Sequence, residues 1–182
     1  MYVVAVNGFV YVGDRANNWI AVFRAEKNLK YKLVMIMPGG RGIFHMWTDA
    51  AGEMLWVNND IDNTITVYNL RKMVPIKTID LPSDIVGSGG KPHDIVLSPD
   101  GKYAFVTIVG LANGVLLKYD TQTYEEVQRK DDLASDPHVG LTFKNNKLYV
   151  PQQGGGVVTI LSQDDITVEI NEISVPDAHG EE

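Results

Sequence analysis

The chain contains no cysteine. That excludes disulfides, thiolate metal ligands and a cysteine nucleophile, and it leaves the redox compartment undecided. No apolar run approaches the ~18 residues of a membrane span. Positive charge is sparse: 16 Lys and Arg stand against 23 Asp and Glu, for a net charge of −7. The basic residues occur singly or in pairs, as at Arg71-Lys72 and Arg129-Lys130. Without a basic patch, neither nucleic acid nor an anionic membrane is expected as a partner. Helical periodicity is nearly missing. No H-E-x-x-H or G-x-S-x-G motif occurs, so seryl hydrolysis has no support. The first residues, "MYVVAVNGFVYV", lack a charged segment and a small-residue cleavage site. They read as two strands around an Asn-Gly turn rather than as a signal peptide.

What is present is strand. The 182 residues are 45% hydrophobic, enough for one domain with a real core. Short β-branched and aromatic runs are cut by turn residues throughout. The pattern repeats four times. In each unit an apolar strand leads to a turn (Asn7-Gly8, Ala51-Gly52, Asp100-Gly101, Asn145-Asn146) and then to an aromatic-rich strand (Phe9–Val12, Met54–Val57, Tyr103–Thr107, Leu148–Val150). A polar or Gly-rich loop follows, then a third strand (Trp19–Phe23, Thr64–Tyr68, Val115–Tyr119, Val157–Leu161) and a more polar fourth. The turn residues Gly8, Gly52, Gly101 and Asn146 are spaced 44, 49 and 45 apart. Four antiparallel strands per ~40–50 residues describe a β-propeller blade. The expected fold is therefore all-β, a single β-propeller domain over 1–182. Its blades would lie at about 1–37, 44–82, 93–131 and 138–176, with the start of a further blade at 177–182. A plain β-sandwich explains the strands but not the repeat.

The strand compositions suit this geometry. "YAFVTIV" (103–109) is apolar on both faces, as a strand between two neighbouring blades must be. "YEEVQRKDD" (124–132) and "ITVEINEISV" (166–175) carry charge, which suits an outer edge.

The stretches "SPDGKYAFVT", "LWVNNDIDNTITVYN" and "KLYVPQQGGGVVTIL" resemble the YVTN-type β-propeller repeat. The resemblance covers essentially the whole chain and is weakest in the first unit, where Val12-Gly13-Asp14 replaces Val-Thr-Asn. Nitrous oxide reductase and lactonase-type propellers share this look, so the resemblance implies the fold and leaves the function open. It also implies a periplasmic or exported setting. Propellers of this type usually have about seven blades. Four blades admit a fragment, a half-ring closed by a second copy, or a true four-blade ring. A half-ring or fragment is favoured. Two copies would close eight blades as a symmetric homo-oligomer, with Met1–Val6 of one beside the last blade of the other.

All four histidines fall at one register of the repeat. His93 and His138 stand eight residues before their turn residue, and His45 stands seven before its own. His179 follows His138 by 41. In a propeller this register opens the innermost strand, which lines the central channel. One reading makes His45, His93, His138 and His179 a channel-mouth ring that holds a transition metal or another ligand. The other makes Pro-His a blade-opening element whose imidazole bonds the neighbouring blade's backbone. Propeller-borne histidines hold copper in nitrous oxide reductase, although that enzyme's cupredoxin domain and further His motifs are missing here. Trp47, two residues after His45, is placed to face the same channel. Otherwise Trp19, Trp47 and Trp56 read as core or inter-blade packing. Asp94 follows His93 and could orient an imidazole, but strand alternation sends its side chain to the opposite face.

Other motifs fall short. "GSGGKPH" (87–93) has Pro92 where a phosphate-binding loop needs Ser or Thr. "GGRG" (39–42) and "QQGGG" (152–156) read as loops, and Asp136 reads as a turn residue. "NDIDN" (59–63) lacks the glycine of a calcium loop and has Arg71 where the final ligand should be. The leading functional expectation is a non-catalytic binding or scaffold propeller with a His-lined position. A metal-dependent oxidoreductase module and a lactonase-like hydrolase are the alternatives. The hydrolase would need a carboxylate-rich channel with a metal or an acid–base pair, and the linear sequence assembles none.

Overall fold

A computed structural model describes residues 2–143 and 145–175. Among them, sixteen strands form four antiparallel four-stranded sheets, each a simple meander in chain order. Blade 1 contains β1 (Tyr2–Val6), β2 (Phe9–Asp14), β3 (Trp19–Ala25) and β4 (Tyr31–Pro38). Blade 2 contains β5 (Ile43–Thr48), β6 (Met54–Asn59), β7 (Thr64–Asn69) and β8 (Val74–Asp80). Blade 3 contains β9 (Lys91–Leu97), β10 (Tyr103–Val109), β11 (Gly114–Asp120) and β12 (Glu126–Leu133). Blade 4 contains β13 (Leu141–Phe143), β14 (Lys147–Gln152), β15 (Val157–Ser162) and β16 (Glu169–Ser174). The first strands pack beside one another in the order β1, β5, β9, β13. They form the inner side of an arc that the sheets do not close.

The hairpin turns use the residues that the sequence marks. Asn7 (φ 50°) and Gly8 (φ 79°) are both left-handed, the requirement of a two-residue turn that matches strand twist. Gly101 (φ 73°) and Asn146 (φ 66°) serve the same corner in blades 3 and 4. Gly52 (φ 66°) has a second reason to be glycine: an added Cβ would lie 2.4 Å from Asn7 Nδ2, which donates to the Ala51 and Gly52 carbonyls across the blade boundary.

Packing occurs between blades. Alternation along β6 sends Leu55 and Val57 toward blade 1, where they meet Tyr11, Ile20, Val22 and Met37. It sends Trp56 toward blade 3, against Ile95, Val106, Leu117 and Tyr119. Phe105 and Leu116 of blade 3 pack in turn against Leu148, Val150 and Leu161 of blade 4. Each middle strand therefore feeds two cores, which is why β6, β10 and β11 are buried almost end to end. Polar stitches recur at the repeat spacing. Arg15 grips Asp60 with two contacts of 2.7 Å, Arg129 reaches Asp84 at 2.7 Å, and the buried Lys118 donates to the Asp164 carbonyl at 2.6 Å.

Three features differ from expectation. A five-residue helix, α1 (Ser83–Gly87), sits between blades 2 and 3; it is too short to leave a periodic signature. β4 is exposed yet apolar, with Tyr31, Leu33, Met35 and Ile36 facing outward, unlike the charged β12 and β16. Trp56 is core, but Trp19 is partly exposed and donates to Asp14. No helix among the described residues is long and apolar enough to cross a membrane.

Candidate functional site

The site originates in a defect of strand pairing. β9 runs in regular register with β10 from Leu97–Ala104 to Ile95–Val106, and pairing resumes at Pro92–Ile108. Two residues, His93 and Asp94, therefore oppose one, Thr107. β5 does the same: Met46 pairs Val57 and Ile43 pairs Asn59, so Phe44 and His45 oppose Asn58. In blade 4, Pro137 bridges Gln152, and the His138 N–H donates to the Pro151 carbonyl at 2.7 Å. A β-bulge of this kind re-aims side chains and leaves a backbone group without a ladder partner. Here the Thr107 hydroxyl accepts the Asp94 N–H at 3.1 Å, and the buried Asn58 amide donates to the His93 carbonyl of the next blade at 2.8 Å.

The bulge corrects two expectations. Asp94 does not turn away from its neighbour: its Oδ1 lies 3.2 Å from His93 Nδ1, because the extra residue breaks the alternation. The histidines also do not share one register. His93 and His138 are equivalent, each following a paired proline, but His45 occupies the position of Asp94, and Phe44 that of His93. The seven-residue offset of His45 from its turn was the visible sign of this.

Three blades thus meet at one carboxylate. Asp94, 7% exposed, accepts on Oδ2 from His138 Nδ1 at 3.0 Å and from the Val139 N–H at 3.2 Å. Its Oδ1 lies 3.0 Å from His45 Nε2 and 3.2 Å from His93 Nδ1. Those two contacts are close but not aligned as hydrogen bonds, so the enclosed Oδ1 and His93 Nδ1 remain unsatisfied. The rings follow one another in contact, Tyr2 to His45 at 4.2 Å and His45 to His93 at 5.0 Å, both tilted, and His93 to His138 at 4.7 Å, edge to face. Phe44 closes on both His45 and His93.

Electrostatics follow from this crowding. Burial alone would raise the Asp94 carboxyl, but the close His93 imidazole and the nearby His45 and His138 outweigh it and hold it below the usual range. Burial lowers the His45 imidazole. Asp94 opposes that shift, and the two other histidines reinforce it. An ionised carboxylate can only accept, so the His138 nitrogen that faces it, Nδ1, is the donor.

The cluster borders a groove of about 310 Å³ lined by Tyr2, Val3, His45, Trp47, Asp94 and Val139. A second groove of about 540 Å³, along β1 and the end of β5, shares Val3 and Trp47 with it. Trp47 is 43% exposed and stands between the two, on the inner side of the arc. The fold thus brings His45, His93, His138 and Trp47 to one side. His179 lies outside the described residues. Asp94 is the residue that sequence reasoning set aside. The signal that would have restored it is a polar residue, Asn58 or Thr107, where a doubly buried strand should be apolar.

Sheets succeeding one another around inner first strands, with cores only between blades, define a β-propeller architecture. Comparison with solved structures agrees. The chain superposes on hydrazine synthase of Kuenenia stuttgartiensis (TM-score 0.75, 17% identity, 91% of this chain and 45% of that one). It also superposes on the periplasmic gluconolactonase of Pseudomonas aeruginosa (0.76, 17%, 95% and 53%) and on a Bacteroides uniformis protein assigned as a 6-phosphogluconolactonase (0.79, 16%, 95% and 54%). The chain spans about half the length of these proteins. No protein-family profile and no curated protein sequence matches it.

Proposed function

We propose that the chain carries the hydrolytic half of a propeller that opens small cyclic esters of the lactone class. The observation that carries this reading is the His138–Asp94 pair, the acid–base couple that the linear sequence did not assemble. With Nδ1 donating to Asp94, His138 Nε2 takes a proton from water. The resulting hydroxide attacks the lactone carbonyl carbon. The tetrahedral adduct then breaks its bond to the ring oxygen, which leaves with the proton from the imidazolium, and the product is a hydroxy acid. Trp47 offers its exposed face to the substrate ring. Two of the solved structures bear lactonase names, which supports the substrate class, although at 16–17% identity their likeness concerns the fold alone.

The test is proton release from glucono-δ-lactone above the spontaneous rate. His138→Gln should lower kcat on the order of 10²–10⁴-fold, the range for losing a general base. Trp47→Ala should chiefly raise KM. A wild-type rate equal to the spontaneous one, with ligand still bound, would leave a binding propeller without turnover.

We propose further that a second copy of this chain faces the groove and closes the ring of blades. Sedimentation at twice the monomer mass is the expected result, and a monodisperse monomer would refute it.

A further inference from the structure

The division of labour on Asp94 leaves one face unexplained. Oδ2 is saturated by His138 and Val139. Oδ1 is enclosed, ionised and without an aligned donor, and His93 Nδ1 beside it is equally unsatisfied. A buried carboxylate oxygen in that condition is costly unless something positive meets it. Two imidazole nitrogens and this oxygen, each from a different side chain, lie within 4.8 Å of one another.

We infer that His45 Nε2, His93 Nδ1 and Asp94 Oδ1 form a binding site for a divalent first-row transition metal of zinc type. Two nitrogens and one carboxylate oxygen are the donor set of open, water-bearing zinc sites rather than of calcium or magnesium sites. Donors bound at about 2.0–2.2 Å in tetrahedral array stand roughly 3.4 Å apart. The 3.0 and 3.2 Å separations from Oδ1 to the two nitrogens are near that spacing. The bulge is what makes this possible: it turns two successive residues of β9 into one chelate, and β5 of the neighbouring blade adds the third donor. His138 then sits behind the site, fixing the carboxylate through Oδ2 without being a ligand. Phe44 and Tyr2 enclose His45, which limits access to one side.

This inference does not depend on the hydrolase reading, and its test uses no turnover. Cobalt(II) alone is titrated into the purified chain, with visible absorption and calorimetry as readouts. One ion per chain is expected, with d–d bands that zinc(II) displaces. His45→Gln, His93→Gln and Asp94→Asn should each abolish the bands. His138→Gln should keep the stoichiometry and weaken binding about 10–100-fold, as loss of a ligand's hydrogen-bond partner does. Far-UV circular dichroism checks the fold of each variant. If a variant unfolds, anomalous scattering at the cobalt edge in wild-type crystals locates the ion directly. Absence of saturable binding, an ion elsewhere, or binding indifferent to His45 and His93 overturns the site. Cobalt binding without lactone opening would keep the metal site and remove the hydrolase.

Discussion

On the proposed hydrolase reading, Asp94→Asn should lower lactone turnover by ~10³–10⁴-fold while leaving the sheet spectrum unchanged, a loss of the size seen when a histidine base loses its carboxylate. The carboxylate accepts from His138 Nδ1, and in the proposed reaction it would also favour the imidazolium formed once water gives up its proton. An amide keeps the shape but offers an N–H on one side, so His138 can be driven to the other tautomer, with its lone pair turned inward. The change also removes the negative charge that three imidazoles surround. Steady-state kinetics checks this, with the loss expected in kcat rather than KM. A variant within tenfold of wild type would mean that Asp94 only holds strands together.

Trp56→Ala should destabilise the chain by about 3–5 kcal/mol, the range for deleting a buried large aromatic. That is a sizeable share of the ~5–15 kcal/mol by which a domain is stable. Trp56 is 0% exposed and fills the space between blades 2 and 3, beside Ile95, Val106, Tyr119 and Tyr124. Its neighbours come from both sheets, Ile65 and Val67 of its own blade and Ile95 and Val106 of the next, and all sit in regular strands that limit collapse into the vacated volume. Its indole N–H is enclosed with no acceptor among the described residues. Trp56→Phe therefore removes an unsatisfied donor along with some volume and should cost less than half as much. The denaturant midpoint measures both. Equal midpoints for wild type and Trp56→Ala would show that inter-blade packing is not what holds the arc.

Much of the architecture was legible because a propeller blade is a local object. Turns at Asn7-Gly8 and Asp100-Gly101, and strands such as Tyr103–Val109, follow from residues close in sequence, and recurrence fixes their meaning. The site was legible only in part. His45, His93 and His138 stood out by their spacing, and Trp47 by its place beside His45. Their common partner did not, because strand alternation is a rule for regular ladders. The extra residue opposite Thr107 changes the phase of β9, and nothing in "KPHDIV" alone declares it. The exposed apolar β4 and the short helix Ser83–Gly87 were missed for other reasons. An outer strand's partner need not lie in the same stretch of chain, and one helical turn has no period to read.

That single carboxylate is reached from blades 2, 3 and 4 together, so its surroundings are set by the pitch between successive blades. Pitch in turn is set by the side-chain volume that keeps the sheets apart, including Trp56 on one side and Phe105 on the other. A ring with one blade more or fewer, built from the same repeats, would leave the strands and histidines within each remaining blade unchanged. It would still fan His45 and His138 to different distances from Asp94. The number of blades in any ring built on these repeats would therefore be a chemical variable as well as an architectural one.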